Sequence, residues 1–156
     1  MSIEELEGFL SSWVKVRAGG EEPEHIAGAL VYQGFYSGFF DGMLNSRAIV
    51  SPGEEEYRMF LPDLWMTDRD KVAKSLLAFI RKHTPEDRKK DDAAGITAVW
   101  FLWNSKDADA LTKRGAHLLM KDQFGADYPG SAEMEKIVTN LETAEKKAKP
   151  KKPAKR

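Results

Sequence analysis

Hydrophobic and polar positions recur at helical spacing along the chain, most clearly between Tyr32 and Asn45. Residues four apart lie on one face of an α-helix, and this stretch sorts into four rows at that spacing. The rows are polar (Gln33, Ser37, Asp41, Asn45), glycine (Gly34, Gly38, Gly42) and two of large apolar residues (Phe35, Phe39, Met43; Tyr32, Tyr36, Phe40, Leu44). A helix of this kind buries about three quarters of its circumference. The pattern predicts the central helix of a small helical domain, with glycines where another backbone comes close.

Five further segments show the helical period and carry start and stop signals. The predicted helices span residues 3–17, 23 to 44 or 45, 68–83, about 85–103, about 107–123, and a last one after Ser131. Ser2 with Glu5 has the spacing of a capping box, and Thr67 and Ser131 are the predicted N-caps of the third and sixth helices. No segment alternates at period two, so the predicted class is all-α, a compact bundle of about five to six helices.

The apolar stripes of the last helices predict which side chains face the core. For the fifth helix the stripe consists of Leu111, Leu118 and Leu119, and for the sixth it consists of Met134, Ile137, Val138 and Leu141. His83 follows the basic end of the third helix, where the simplest role for an imidazole is to cap free carbonyls.

The charge is distributed unevenly along the 156 residues. The last 11 residues hold no acid and seven basic groups, which are Lys146, Lys147, Lys149, Lys151, Lys152, Lys155 and Arg156. Without them the chain has 17 basic and 25 acidic residues, a formal charge of −8. We therefore divide the chain into a helical domain, 1–145, and a disordered Lys/Pro/Ala tail, 146–156. The tail is a solubilising end, a partner of the acidic body, or a binder of anionic polymers.

The chain offers little for catalysis. It has no cysteine, which excludes disulfides, thiolate nucleophiles and thiolate metal sites. Its three histidines, His25, His83 and His117, are not accompanied by a Gly-x-Ser-x-Gly elbow, a glycine-rich phosphate loop or a calcium-loop spacing. We predict that the protein is not an enzyme and that it uses no cofactor and no metal.

The amino-terminal segment has neither a basic region nor an apolar run typical of a secretory signal. The longest weakly charged stretch, residues 26–44, is interrupted by Gln33 and Asp41, which is too polar for a membrane span. These features predict a cytoplasmic protein without a membrane partner.

Four pieces of sequence follow one another in a recognisable order. They are a glycine-rich aromatic helix (34–42), the anchor Phe60-Leu61-Pro62, a helix that ends at His83-Thr84-Pro85, and a hydrophobic closing helix (98–103). Their order resembles the Tai/Rap family of immunity proteins, which neutralise type VI secretion amidases, with residues 31–104 as the family-like core. The family pairs two cysteines, one in the anchor and one near the end of the closing helix. Here those places hold Phe60-Leu61-Pro62 and Leu102-Trp103-Asn104.

The resemblance implies a non-catalytic binding module that occupies the cleft of a partner protein such as a toxin or effector. The predicted contact surface is the acidic, proline-containing loop 51–65 and its end, with Tyr57, Met59, Trp65 and Met66 as anchors. Those four side chains have an alternative role, which is to seal the core. The alternative function is association with nucleic acid or another anionic polymer through the basic tail. A homodimer is a further form of partner binding that the sequence leaves open.

Overall fold

The computed structural model describes residues 1–50, 68–105 and 108–149, with the backbone alone for 40–50. Within those ranges the chain forms six α-helices and a short 3-10 turn, and it has no β-sheet. The helices are α1 (Ile3–Arg17), α2 (Pro23–Val50), α3 (Arg69–His83), α4 (Ala93–Trp103), α5 (Ala110–Phe124) and α6 (Ser131–Ala148). The predicted all-α class is confirmed.

Helix α1 has the predicted bounds and the predicted capping box. The Ser2 amide donates to Glu5 Oε2 at 2.7 Å, and the Glu5 amide donates to Ser2 Oγ at 3.2 Å. Its fully buried residues are Ile3, Leu6 and Leu10. Because α1 lies against α2, α3 and α4, these side chains form the centre of the described core.

Helix α2 begins at Pro23 as predicted but continues to Val50, past the predicted end at Leu44 or Asn45. No glycine or proline lies between Asn45 and Val50 to break it, and the next proline, Pro52, restrains only the residue before it. Tyr32 and Tyr36 are buried, as their row predicts.

The prediction that the glycine row is a helix-crossing surface is wrong at the two positions that the structure describes. A Cβ added to Gly34 or Gly38 would have no described atom within 4 Å. A close approach between α2 and α1 does occur, but about one and a half turns before Gly34, where Gly28 faces Ser12 of α1. Glycine spacing alone does not tell an exposed row from a packed one.

Helix α3 is capped by Asp68, whereas the predicted cap, Thr67, lies outside the described residues. The Asp68 carboxylate accepts from the amides of Asp70 at 3.0 Å and Lys71 at 3.3 Å. The apolar residues of α3 at helical spacing, Val72, Ala73, Leu76, Phe79 and Ile80, are buried.

The predicted fourth helix is shorter than expected. A 3-10 turn, Glu86–Arg88, replaces its charged beginning, and α4 starts only after Asp92, whose carboxylate accepts from the Ala94 amide. The reason is that this segment binds the amino terminus: the Ile3 amide donates to Asp91 O at 2.9 Å, and the Ala93 amide donates to Met1 O at 3.0 Å. The hydrophobic residues Ile96, Val99 and Trp100 of α4 lie in the core.

Helix α5 starts later than predicted, at Ala110, and it presents a different face to the core. Its buried residues are Ala110, Ala116, His117, Met120 and Phe124. The prediction that Leu111, Leu118 and Leu119 are buried is wrong, because all three are exposed. Helix α6 buries Met134 and Val138 as predicted, but Ile137 is exposed. Gly130, with φ +81°, stands at its N-cap where Ser131 was predicted.

Candidate functional site

The contact residues predicted from the sequence, Tyr57, Met59, Trp65 and Met66, lie outside the described residues. The same holds for the tail residues Lys151, Lys152, Lys155 and Arg156. Helix α6 continues three residues past the predicted domain end at 145, so that Lys146 and Lys147 lie on its last turn and Lys149 follows it as the C-cap.

A leucine surface, formed by Leu111, Leu118 and Leu119, is the most exposed apolar feature of α5. The exposed fractions are 79% for Leu111, 52% for Leu118 and 48% for Leu119. The three residues lie on one face because they are seven and eight positions apart, which is about two helical turns. That face is open because α4 and α6, which both pack on α5, occupy its other sides.

A shallow groove runs along this surface. It is lined by Leu102 of α4 and by Thr112, Gly115, Leu118, Leu119 and Asp122 of α5, with a volume of about 520 Å³. Gly115 is one of its lining residues, and a Cβ added there would meet no atom of the described residues within 4 Å. Asp122 is the one ionisable side chain among these lining residues, so the groove is apolar with a carboxylate on its lining. Concave apolar sites with few polar groups are typical of recognition surfaces.

The groove rests on a helix that is fixed from both sides. Toward α4, the Lys113 ammonium donates to the Trp103 carbonyl and lies 4.5 Å from the centroid of the Trp103 ring. Burial lowers the pKa of Lys113. An ammonium near the end of α4 also interacts favourably with the helix dipole.

Toward α6, Arg114 joins two carboxylates of that helix. Its guanidinium donates to Glu142 at 3.0 Å and to Glu135 at 2.6 Å, and these hydrogen bonds raise the pKa of Arg114. Near the start of α5, Glu145 accepts from the Ala110 amide at 2.9 Å. A pre-formed, well-supported surface loses less conformational entropy on binding than a flexible one does.

The sequence predicted that His83 caps carbonyls of its own helix, and this prediction is wrong. Its side chain is 5% exposed, and its Nδ1 lies 2.8 Å from the Pro129 carbonyl, to which it donates. The C-cap residue Thr84 closes α3 through its own amide. The imidazole is drawn away from its helix because the turn between α5 and α6 packs directly on it.

His117 lies on the buried side of α5, behind the leucine surface. It has no exposed area, and its Nδ1 lies 2.6 Å from the Tyr128 hydroxyl. The imidazole therefore holds the α5–α6 turn and presents no surface to solvent. Among the residues that the structure describes, no group of three or more His, Asp or Glu side chains is placed to hold a metal ion.

Comparison with known proteins adds no relative, because the chain matches no family model, no curated protein and no solved structure. The resemblance to the Tai/Rap family therefore stays a prediction. Over the described part of the chain, no helix combines the length and the apolar character needed to cross a membrane.

Sequence periodicity does not reveal the leucine surface, because leucines at helical spacing are also typical of a buried face. Another row on the same helix, Ala116, Met120 and Phe124, has a spacing of four and is the one that faces the core. The sequence does contain a signal for this surface, since α5 carries two apolar rows. A helix at the edge of a bundle buries only one face, so one of the two rows stays exposed.

Proposed function

We propose that this protein is a non-catalytic protein-binding module and that the leucine surface of α5 is its docking site. The single observation that supports the proposal is the exposure of Leu111, Leu118 and Leu119 beside a groove. Isolated exposed leucines need no explanation, whereas a contiguous apolar patch is typical of a protein interaction site. The immunity-type role implied by the Tai/Rap resemblance is one form of this function.

The partner we propose is an amphipathic segment of another protein. Its apolar side chains would lie over Gly115 and between the leucines, and a lysine or arginine would pair with Asp122. The basic tail of the chain itself does not fit, because residues 146–156 contain no apolar side chain larger than alanine or proline.

The test is affinity capture from a lysate of the source organism with three forms of the protein. Leu118→Gln removes an apolar contact of the docking site, and Leu30→Gln is the matched control. Leu30 is a leucine on a different helix, α2, and it is 64% exposed, close to the 52% of Leu118. A partner that is captured by the wild-type and Leu30→Gln forms, but not by Leu118→Gln, supports the proposal.

Salt distinguishes this contact from binding by the tail. An apolar contact persists at high salt, whereas counterion release makes phosphate binding by lysines fall steeply as salt rises. If the three forms capture the same proteins, or if every captured component is a nucleic acid that salt removes, the docking proposal is wrong. The second outcome favours the basic tail.

A further inference from the structure

A second groove lies between α1 and α3, and none of its lining residues belongs to the leucine surface. Its volume is about 190 Å³, and it is lined by Trp13, Val14, Arg17 and Ala18 of α1 and by Asp70 and Lys74 of α3. The first helix supplies apolar surface and one cation, and the second supplies an anion and a cation. A concave site with apolar lining and a few convergent polar groups is typical of small-molecule recognition.

One wall of this groove is pre-formed, because Asp70 holds both an aromatic and a cationic neighbour. The Trp13 indole Nε1 donates to Asp70 Oδ1 at 2.8 Å, and Arg17 Nε donates to the two Asp70 oxygens at 3.1 Å and 3.2 Å. Trp13 also packs edge-on against Tyr32, with ring centroids 5.2 Å apart. The Arg17 guanidinium carbon lies 6.0 Å from the centroid of the Trp13 ring. A ligand that binds beside groups held in this way orders few further side chains.

The two cations of the groove keep donors that the described part of the chain does not use. Arg17 bonds to Asp70 through Nε, and no described residue accepts from its Nη1 or Nη2. Lys74, an exposed residue one turn after Asp70, has no ion pair or hydrogen bond with any residue that the structure describes. By contrast, Arg81 near the other end of α3 pairs with Glu7 at 3.0 Å. The groove therefore offers its free donors to an external anion.

The charge of the lining favours a ligand with a single negative charge. Two positive side chains and one negative side chain give the lining a net charge of +1. A monoanion neutralises this charge, whereas a phosphate dianion would leave an excess of negative charge beside the Asp70 carboxylate. The carbonyls at the end of α1 do not strongly oppose an anion, because those of its last turn already accept from the amides of Ala18, Gly19 and Gly20.

We propose that the groove between α1 and α3 binds an organic monocarboxylate that carries a short apolar group. The carboxylate accepts from Lys74 Nζ and from the outer nitrogens of Arg17, since guanidinium and carboxylate groups form charge-assisted hydrogen bonds. The apolar group lies on the Trp13 ring and Val14. The volume of about 190 Å³ limits this group to a few carbons or one ring, because pockets for drug-sized ligands begin at about 300 Å³. The inference goes beyond the docking function of α5 and does not rest on it.

The experiment is an NMR titration of the full chain, followed through the indole Nε1–H signal of Trp13. The variant Trp13→Phe assigns this signal, and the indole of Trp100, which is 1% exposed, is the reference. The probes are phenylpropionate and its uncharged amide. We expect phenylpropionate to shift the Trp13 signal in a saturable way and the amide to leave it unchanged.

Two lysines of α3 give a matched pair of variants. Lys74→Gln and Lys71→Gln each remove one positive charge from an exposed position of the same helix, but Lys71 does not line the groove. We expect Lys74→Gln to weaken the binding of phenylpropionate several-fold and Lys71→Gln to bind it as the wild type does. Arg17→Gln should also weaken binding several-fold, because it removes the second group that donates to the carboxylate.

A free organic acid and the C-terminal residue of a peptide share this chemistry, and the peptide Ala-Ala-Phe distinguishes the two sources. Tighter binding of this peptide than of phenylpropionate supports a partner's C-terminus, whereas weaker or equal binding supports a free acid. The proposal is overturned if the amide binds as well as phenylpropionate, or if phenylpropionate gives no saturable shift. It is also overturned if Lys74→Gln and Lys71→Gln bind alike, or if inorganic phosphate binds more tightly than phenylpropionate.

Discussion

Gly28 of α2 lies directly against Ser12 of α1, so that the two helices leave no room for a side chain at this position. A Cβ built on Gly28 would lie 2.6 Å from Ser12 Oγ and 2.8 Å from Ser12 Cβ. Since Ser12 Cβ is fixed to the backbone of α1, rotation of the hydroxyl does not relieve the second contact. The two helices must move apart to admit a methyl group.

Substitution of Gly28 by alanine should therefore destabilise the protein, despite the better helix propensity of alanine. Overpacking of this kind costs ~1–3 kcal/mol. Gly34→Ala is the control on the same helix, and it should raise the free energy of unfolding by about 0.5–1 kcal/mol because Gly34 is exposed and its Cβ would meet no described atom within 4 Å. Urea unfolding of both variants measures the difference. Equal effects at the two sites would refute the close crossing at Gly28.

The cap of α3 gives a second prediction, which replaces the one made for Thr67. Asp68→Ala should cost about 1 kcal/mol, because two amides at the helix start lose their acceptor. Asp68→Asn should retain most of the stability, since asparagine caps about as well as aspartate. Thermal melts compare the two variants. A loss that is as large for asparagine as for alanine would show that the negative charge, and not the hydrogen bonds, supports the helix.

The two apolar rows of α5 predict opposite responses to truncation. Met120 has no exposed area, so Met120→Ala should lower the free energy of unfolding by about 2–5 kcal/mol. Leu111 is 79% exposed, so Leu111→Ala should change it by less than about 0.5 kcal/mol. Chemical denaturation of the two variants provides the check. A large loss for Leu111→Ala would mean that the leucine surface is covered in the folded protein.

Removal of residues 150–156 tests the tail apart from the fold. These residues carry three lysines and one arginine, so the truncated chain has a formal charge of −5 in place of −1. We expect the melting temperature to stay the same, because the last described contact of α6 with α5, from Glu145, is retained. Salt-sensitive retention on an anionic resin should decrease. A drop in the melting temperature of ~4 °C or more, about 1 kcal/mol at this size, would show that the tail packs on the acidic body.

The helices could be predicted from the sequence where capping and periodicity agree. Helix α1 has its predicted bounds because Ser2 and Glu5 cap it and Gly19 and Gly20 follow it. The bounds failed where a long-range contact decided the outcome. The charged segment before α4 gives up helical hydrogen bonds because its carbonyls accept from the amides of Ile3 and Glu4, a pairing of distant residues that no local pattern contains.

The candidate site was harder to predict than the helices. Leu111 and Met120 are both apolar, and the sequence does not state which of them faces the bundle. The buried face of α5 includes His117, a polar residue that by its type alone would be assigned to the exposed side. It is buried because its Nδ1 has a hydrogen-bond partner, the Tyr128 hydroxyl, at 2.6 Å. Burial of a titratable residue depends on a partner from another part of the fold, which the local sequence does not show. A helix face that contains such a residue is therefore easily mistaken for an exposed face.

The central claim, that α5 docks a protein partner through its leucine surface, is tested most directly by site-specific photo-crosslinking in cells of the source organism. A photoreactive amino acid replaces Leu118 in one form of the protein and the exposed Lys136 of α6 in the other. The account predicts a discrete crosslinked protein product at position 118, absent at position 136 and lost when Gly115→Arg fills the groove. Crosslinks of equal yield at both positions, or none at position 118, would contradict it.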